Sequence, residues 1–425
     1  MEEAGRNLMV DELKWTTVNT EEVEKSKFRL EASVFNIDVK RANDIISNLK
    51  IPLKRLWAND GFIKSAHYGG RIKRNYISKT SKNAVGFLGS AEMLQLFPKA
   101  EKYIDKNRAN ACKISKGTIL VSRSGTIGNL AYVNDTLQKY YVSEHAIRLE
   151  PFEFGGYVYS FLKTKIGQTL IKGNIYGAVI NQIEPEDIGD MLVPDPPKGI
   201  KERIHAKITK SFELRDESNR LLESAERLLV SSLKLKPIEA IVSDYFDPDE
   251  NIKTYSINLN NLDERFEASY HVPIINSIID ILLDNAEFVL SLSDKTLTKN
   301  IFLPGRFKRH YVQENYGRVF FGGKQIYEID PSNKKYLSTS IHGDRISEQL
   351  FLQENTILVT RSGTIGRVNI VPNHWQNWLA NEHILRVIPN NEDIAGFLYV
   401  WLNSDYGHEL IERFTYGSVV KTKLI

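Results

Sequence analysis

Two stretches of this chain are nearly the same: GTILVSRSGTIGNLAYV runs from Gly117 to Val133, and NTILVTRSGTIGRVNIV runs from Asn355 to Val371. They align without a gap at an offset of 238 residues (from 117 to 355), and the agreement continues from 143–149 to 381–387. A shared core as long as ILV-x-RSGTIG does not recur by chance. The chain is therefore a tandem duplication, and its function is expected in two related halves.

The repeated motif predicts a strand, a turn and a second strand. β-Branched and apolar residues flank Ser124-Gly125-Thr126, which are residues typical of turns. We expect a further strand at 144–149 and then a helix from Gly156 to about Ile171, whose echo begins at Gly396. Both strands and helices are therefore expected within each repeat.

Further echoes outline each repeat. Phe28–Ser33 matches Glu264–Ser269, which places the repeat starts near residues 25 and 260. A short helix is expected at residues 39–50, where Ile45, Ile46 and Leu49 fall at helical spacing, and another at residues 272–283, the same relative place in the second repeat.

A basic element also occurs twice, as GRIKRNYI at residues 70–77 and GRFKRHYV at residues 305–312. Between this element and the RSGTIG motif the halves diverge, at residues 78–112 and 313–350, and share little beyond a similarity of Phe87-Leu88 to Tyr336-Leu337. Divergence between matched segments indicates one scaffold that carries two different reading surfaces.

A long helix is predicted between the repeats. Pro194-Asp195-Pro196-Pro197 stops the preceding structure, and no Pro or Gly occurs from Ile200 to Leu235. A coiled-coil-like helix of about 35 residues, roughly 50 Å long, is expected. The residues expected to pack against another helix or subunit are Ile204, Ile208, Leu214, Leu221, Leu228 and Leu235, of which the leucines fall seven apart.

The symmetry of the duplication predicts a second long helix after Tyr416-Gly417, but the sequence stops at Ile425. A leucine stripe without a partner leaves its apolar face in water. We therefore expect either a shortened or split form of the protein, or a helix partner in trans.

Composition narrows the class of protein. A length of 425 residues suggests two or three domains, and a net charge of +3 is too small to establish a polyanionic partner. The single cysteine, Cys112, excludes an intramolecular disulfide and suits a reducing compartment. The N-terminus does not read as a secretion signal, and no stretch approaches the roughly 18 apolar residues of a membrane span. A cytoplasmic protein without a membrane partner is expected.

The candidate DNA-binding residues form three groups, since Arg and Lys neutralise phosphates, and polar side chains suit groove contacts. The GRxKRxY elements contribute Arg71, Lys73, Arg74, Tyr76, Arg306, Lys308, Arg309 and Tyr311. The motif turns contribute Arg123, Ser124, Thr126, Arg361, Ser362 and Thr364. The divergent segments contribute Lys79, Lys82, Asn83, Lys324, Lys334 and Lys335, with Ser81, Gln325 and Asn333 as further polar residues.

Each group also has a purely structural interpretation. The basic elements and divergent segments are alternatively solvated loops. The motif turn is alternatively a hairpin in which Gly supplies a positive φ and Arg pairs with a carboxylate of its own domain. Glu144-His145 and Glu382-His383 invite an acid–base interpretation, against strand residues with a satisfied histidine.

An enzyme is the main alternative function, either a DNA methyltransferase or a nuclease. Asp195-Pro196-Pro197-Lys198 resembles the Asp-Pro-Pro-aromatic motif of adenine methyltransferases, but Lys198 stands where that motif needs an aromatic residue. Phe87–Ala91 resembles an S-adenosylmethionine-binding loop only weakly, and Pro248–Lys253 resembles a nuclease core only weakly. The sequence has no GxxxxGK[ST] loop of the kind that binds ATP.

Two repeats with an ILV-x-RSGTIG element, joined by a leucine-rich helix after a Pro-Pro stop, resemble the specificity subunit of type I restriction-modification systems. The residues that carry the resemblance are Thr118–Gly128, Thr356–Gly366 and Ile200–Leu235, and it extends from about residue 25 to 425. It implies an α+β fold with two tandem target-recognition domains at 1–196 and 259–425, a spacer helix at 197–237 and a linker at 238–258.

The resemblance also implies a function. The chain would be a non-catalytic adaptor that reads a split site in double-stranded DNA, one half-site for each recognition domain. Methyltransferase subunits, which bring S-adenosylmethionine, would dock on it, and motor-nuclease subunits can join them. No cofactor or metal is expected on this chain. The departure from the family is the missing distal helix.

Overall fold

A computed structural model describes residues 17–25, 28, 30, 35–124, 126–173, 182–247, 252–262, 264–328, 330–331, 334–363, 365–416 and 422–423. The chain divides into two compact units, Met1–Asn219 and Arg220–Ile425. Across the described ranges, no helix has the length and apolar character needed to span a membrane. Most of the Phe28–Ser33 echo lies outside the described residues, as do Gly125, Asn333, Thr364, Tyr176-Gly177 and Gly417.

The first half begins with two helices and continues as a mixture of strands and helices. Its strands are β1 (Leu53–Arg55), β2 (Ile63–Tyr68), β3 (Tyr76–Ile77), β4 (Ala84–Leu88), β5 (Lys102–Asp105), β6 (Ile119–Ser122), β7 (Leu130–Tyr132), β8 (Tyr141–Val142), β9 (Ala146–Pro151) and β10 (Leu192–Pro194). Its helices are α1 (Thr20–Lys25), α2 (Ile37–Ser47), α3 (Gly155–Lys163), α4 (Lys165–Gly173) and α5 (Pro185–Gly189), followed by the long helix α6 (Lys198–Ser232).

The second half has a related but not identical order of helices and strands. Its helices are α7 (Ile238–Ser243), α8 (Pro273–Asn285), α9 (Thr339–Arg345), α10 (Glu392–Asn403) and α11 (Asp405–Glu412). Its strands are β11 (Thr298–Phe302), β12 (Tyr311–Val312), β13 (Gly317–Phe321), β14 (Lys335–Ser338), β15 (Ile357–Thr360), β16 (Val368–Ile370), β17 (Leu379–Ala380), β18 (Ile384–Pro389), β19 (Thr415–Tyr416) and β20 (Thr422–Lys423).

Each half contains two four-stranded sheets of the same topology. The sheet that carries the RSGTIG motif, here called the motif sheet, has the order β2-β9-β6-β7 in the first half and β11-β18-β15-β16 in the second. The sheet built largely from the divergent segment, here called the variable sheet, has the order β3-β5-β4-β8 and β12-β14-β13-β17. The α+β class and the duplication are therefore confirmed, and the scaffold persists where the sequence similarity is lost.

The variable sheets correct one sequence alignment. In register, Phe87 of β4 faces Lys102 of β5, and Phe320 of β13 faces Lys335 of β14. Phe87-Leu88 therefore matches Phe320-Phe321, and the predicted match to Tyr336-Leu337 is wrong. Those residues lie on the neighbouring strand, because an aromatic-aliphatic pair is common in strands and two adjacent strands offer the same pattern.

The motif strand supplies the core on both of its faces. Ile119 and Val121 of β6 belong to one buried cluster, and Leu120 between them belongs to another. Ile357 and Leu358 of β15 divide in the same way. Side chains alternate across a strand, and burying each contributes about 1.5–3 kcal/mol. The motif is thus kept apolar by two cores at once.

The helix predicted from Gly156 to about Ile171 is interrupted. Thr164 is extended between α3 and α4, and its hydroxyl accepts a hydrogen bond from the backbone N–H of Gly167 at 3.1 Å. Ser404 does the same for Gly407 between α10 and α11. A hydroxyl at this position caps the second helix, which stabilises the break in both halves.

The long helix α6 packs through a different face from the one that its leucine repeat suggests. Ile204, Ile208 and Phe212 contact the buried cluster of the first half. Leu214 follows Phe212 by two residues, about 200° around the helix, so it points away. Leu214, Leu221 and Leu228 are 58%, 61% and 67% exposed, whereas Leu235, beyond the end of α6, is buried in a cluster of the second half.

The predicted linker at 238–258 takes part in packing. It contains α7, and Ile241 and Phe246 are buried with Ile274 of α8. Apolar residues after the helix stop at Pro237 therefore join the core of the second half.

Candidate nucleic-acid interface

The RSGTIG turn is held by the same backbone bonds in both halves. The N–H of Gly128 donates to the carbonyl of Ser122 at 3.0 Å, and that of Gly366 donates to Thr360 at 3.1 Å. Both glycines have positive φ, +82° and +77°, and so does Gly363 at +77°. Such angles favour glycine, and the prediction that the glycine of the Arg-Ser-Gly-Thr turn has a positive φ is confirmed at Gly363.

A group of four polar side chains recurs beside the turn, here called the quartet. It consists of Arg74, Ser124, Glu144 and His145 in the first half and of Arg309, Ser362, Glu382 and His383 in the second. The arginine Nη2 donates to the glutamate Oε1 at 2.9 Å and 2.5 Å in the two halves. The serine Oγ lies 2.9 Å and 2.8 Å from the histidine Nδ1. The quartet thus joins the basic element to the motif turn.

The glutamate of each quartet is a buried anion. Glu144 and Glu382 are 8% and 6% exposed, and the second carboxylate oxygen of each lacks a hydrogen-bond partner among the described atoms. Burial opposes ionisation of Glu144, but hydrogen bonds and the charge of Arg74 hold its pKa below the ordinary value. Burial likewise works against the charged form of Arg309, yet its bond to Glu382 raises its pKa. The arginine of each quartet therefore stabilises the buried glutamate by pairing with its carboxylate.

These ion pairs do not use up the arginines. A guanidinium has five donors, and the Arg74 side chain remains 39% exposed while bound to Glu144. The Arg71 side chain, 83% exposed, lies with its Nε 3.9 Å from the same carboxylate. An internal carboxylate on one side fixes the direction of a guanidinium that remains partly exposed in both halves.

The quartet does not have the geometry of an acid–base catalyst. The histidine Nε2 is 3.9 Å from Glu144 Oε1 in the first half and 3.7 Å from Glu382 Oε1 in the second, both too long for a hydrogen bond. Each carboxylate is also paired with an arginine, which weakens its pull on the imidazole. The predicted satisfied histidine fits these contacts, since each histidine lies against its serine. The prediction that Glu144-His145 and Glu382-His383 are strand residues is wrong, because both pairs form the turns that precede β9 and β18.

Arg123 of the first motif turn is committed to its own domain. Its Nη2 donates to Glu184 Oε1 at 3.1 Å, and its guanidinium lies 4.4 Å from the centre of the Tyr68 ring. This confirms the structural alternative for Arg123. Ser124, Ser362 and Arg361 are half-buried. Thr126 is exposed.

A lysine covers the exposed tyrosine of each basic element. Lys102 Nζ lies 5.2 Å from the centre of the Tyr76 ring, and Lys335 Nζ lies 5.2 Å from that of Tyr311. Because Lys102 and Lys335 face equivalent phenylalanines in register, the pair is a feature of the repeated fold. Sequence reasoning named Lys335 but missed Lys102, since the divergent segments could be aligned only through the register of the variable sheets.

Tyr76 and Lys102 border a cleft in the first half that has a volume of about 260 Å³. Its lining includes Arg74, Tyr76, Lys102 and His145, and it also holds a carboxylate, Glu92. The structure therefore brings together the basic element, the quartet and the variable sheet at one surface.

The remaining predicted contacts are spread over the surface. Lys79 and Lys82 are exposed in the loop between β3 and β4, Asn83 is half-buried there, and none of the three lines the cleft. Exposed cations elsewhere are Lys73, Arg306, Lys308 and Lys324, whereas Lys334 is half-buried and pairs with Asp330. Thr364 lies outside the described residues.

The Asp195-Pro196-Pro197 segment directly precedes α6, which begins at Lys198. Lys54 Nζ lies 3.0 Å from the Asp195 carboxylate, and Lys201 also donates to that carboxylate. Burial opposes ionisation of Asp195, but the two lysines lower its pKa. Within the described part of the chain, no group of three or more His, Cys, Asp and Glu residues could hold a metal ion. The acidic residue thus anchors a helix start.

Comparison with known proteins finds a matching domain in the first half of the chain. Residues 42–226 match the family model of the type I restriction modification DNA specificity domain. The chain is similar to the S subunit of a type I restriction-modification system from M. genitalium, with 14% identity, 86% of this chain and 79% of that chain covered, and a TM-score of 0.28. It is also similar to the HsdS subunit from Thermoanaerobacter tengcongensis, with 13% identity, 87% of each chain covered and a TM-score of 0.25.

No curated protein matches the sequence. The two structural similarities have low TM-scores, so the assignment rests on the family match and on the duplicated motif, which extends the matched domain into the second half. Residues 42–226 therefore carry a type I restriction modification DNA specificity domain, and the RSGTIG motif of this domain recurs in the second half.

Proposed function

We propose that this chain reads a bipartite site in duplex DNA, with one half-site for each half of the chain, and takes no catalytic part itself. It would present the site to methyltransferase subunits that carry S-adenosylmethionine, and motor-nuclease subunits can join the complex. The proposed complex would bind the cell's DNA in the cytoplasm. The observation that carries the proposal is the repetition of the lysine–tyrosine pair on two copies of one scaffold, whose divergent segments differ in sequence.

The phosphate contacts would come from the quartet arginines and the lysine–tyrosine pairs. Arg74 and Arg309 are oriented by buried carboxylates, so they lose little freedom when they meet a phosphate. Tyr76 and Tyr311 are 45% and 37% exposed and offer a hydroxyl to the backbone. A surface of this kind holds DNA without reading its sequence, and the divergent segments would supply the reading.

We further propose that 1–196 and 259–425 are the recognition domains and 197–237 the spacer helix, with 238–258 connecting them. The exposed Leu214, Leu221 and Leu228 support a helix partner in trans, since three leucines on one helix face would otherwise remain in water. In a complex that holds two copies of the chain, cysteines placed at Leu221 of both copies should form a disulfide when oxidised glutathione is added, if the two long helices pack against each other. A complex that contains a single copy of this chain would contradict this part of the proposal.

The decisive experiment exchanges one divergent segment. The chain is expressed with its methyltransferase, and methylated adenines are mapped in the cell's DNA. Replacing residues 78–112 by the corresponding segment of a relative should change one half of the methylated sequence and leave the other half and the spacing intact. A change in both halves, or in neither, would contradict the modular assignment.

The non-catalytic role has a separate test. Purified chain alone should not bind S-adenosylmethionine, and the complex with the methyltransferase should. Tight binding to the isolated chain would favour an enzyme.

A further inference from the structure

Two equivalent positions at the ends of strands differ in chemistry between the halves. β4 and β13 pair in parallel with β8 and β17, and their last residues, Leu88 and Phe321, occupy the same place in register. A glycine follows each strand, and three residues beyond it stand Glu92 in the first half and Gln325 in the second.

Both side chains perform the same structural task. The N–H of Gly89 donates to Glu92 Oε2 at 2.9 Å, and the N–H of Gly322 donates to Gln325 Oε1 at 3.3 Å. Each residue belongs to a short 3-10 turn, Glu92–Leu94 or Gly323–Gln325. Either a carboxylate or an amide can therefore hold this turn, so the structural task does not explain why the two halves differ.

The setting of Glu92 is unusual for a carboxylate. It is half-buried in the cleft that also contains Arg74, Lys102 and His145. The cleft also contains Glu101 and the buried Ser143, whose hydroxyl has no hydrogen-bond partner among the described atoms. A carboxylate at a surface that meets phosphates reduces the general attraction for DNA. Its presence is useful if one oxygen accepts a hydrogen bond from a base.

We propose that Glu92 and Gln325 are equivalent base-reading residues, one in each half; this inference rests on the proposed DNA-reading function. Glu92 accepts a hydrogen bond from an exocyclic amino group in the major groove, either cytosine N4 or adenine N6. Gln325, which has both a donor and an acceptor, pairs with adenine through N6 and N7. The difference between these two side chains makes the half-sites differ at corresponding positions.

The experiment uses the complex of this chain with its methyltransferase. It measures the affinity of that complex for DNA duplexes in which each base pair of the first half-site is varied in turn. Glu92→Ala should abolish the preference for one adenine or cytosine in that half-site, a change of about 5- to 150-fold in discrimination. The second half-site should keep its preferences. Glu92→Gln distinguishes the two bases: it should weaken a cytosine contact and preserve an adenine contact.

The matched control is Gln325→Glu, which should change one position of the second half-site only. Because glutamine already holds this turn in the second half, Glu92→Gln should unfold at the same temperature as the unmodified chain, which separates reading from folding. Unchanged base preferences in Glu92→Ala and Gln325→Glu, with DNA still bound, would overturn the inference. Failure of the unmodified complex to bind DNA would overturn the proposed function instead.

Discussion

Replacing Arg74 by alanine tests whether the quartet arginine serves the fold, the DNA or both. The substitution leaves Glu144, only 8% exposed, without its charged partner. Removing one member of a buried ion pair costs about 3–5 kcal/mol. Because the Arg74 side chain is 39% exposed, solvent screens part of this, and we expect a loss of about 1–2 kcal/mol in stability.

A second substitution isolates the cause. Glu144→Gln removes the buried charge, so the double variant Arg74→Ala with Glu144→Gln should recover about 1 kcal/mol of that loss. The assay is hydrogen exchange of the amides of β8 and β9, which flank Glu144, because it reports local stability without requiring the whole chain to unfold in one step. The same pair of changes at Arg309 and Glu382 is the matched control in the second half.

The DNA role has its own readout. Each phosphate contact contributes about 0.9 to the slope of log affinity against log salt. Arg74→Ala together with Arg309→Ala should therefore lower the slope by about 1.8 if both arginines contact phosphates. An unchanged slope with a lowered local stability would refute the phosphate role and leave the arginines as internal partners. No loss of stability would refute the argument from the buried carboxylate.

Three further outcomes test the fold. His342 has its pKa lowered by burial first and by neighbouring basic groups, so its unfolded form binds protons more readily; stability should fall as pH drops through its ordinary value of 6.5, and His342→Leu should flatten this dependence in thermal unfolding from pH 7.5 to 5.5. Gly366→Ala should cost about 1–2 kcal/mol in urea unfolding because φ is +77° and the new Cβ would lie 2.7 Å from a histidine nitrogen; an unchanged midpoint would contradict this. Leu235→Ala should cost about 2–5 kcal/mol, whereas Leu221→Ala, 61% exposed, should change the stability of the isolated chain by less than about 0.5 kcal/mol. Equal costs would show that the leucine stripe is buried in solution.

The recurrence of RSGTIG was sufficient to establish the duplication, and the run without Pro or Gly from Ile200 to Leu235 was sufficient to establish the long helix. These features depend on local requirements that a sequence displays directly. Gly366 needs its positive φ, the motif strand needs apolar residues on both faces, and a proline-free run propagates a helix. Each requirement restricts residue type at its own position, so the sequence alone revealed it.

The pairing of distant residues was decided by the tertiary structure. Arg74 and Glu144 are 70 residues apart, and their contact depends on how the variable sheet meets the motif sheet. The equivalence of Glu92 and Gln325 became visible only through strand register, because backbone hydrogen bonds preserve a sheet while the side chains on it diverge. The helix face that packs in α6 was likewise set by its neighbours. Local pattern thus determined the elements, and long-range packing determined which of their side chains meet.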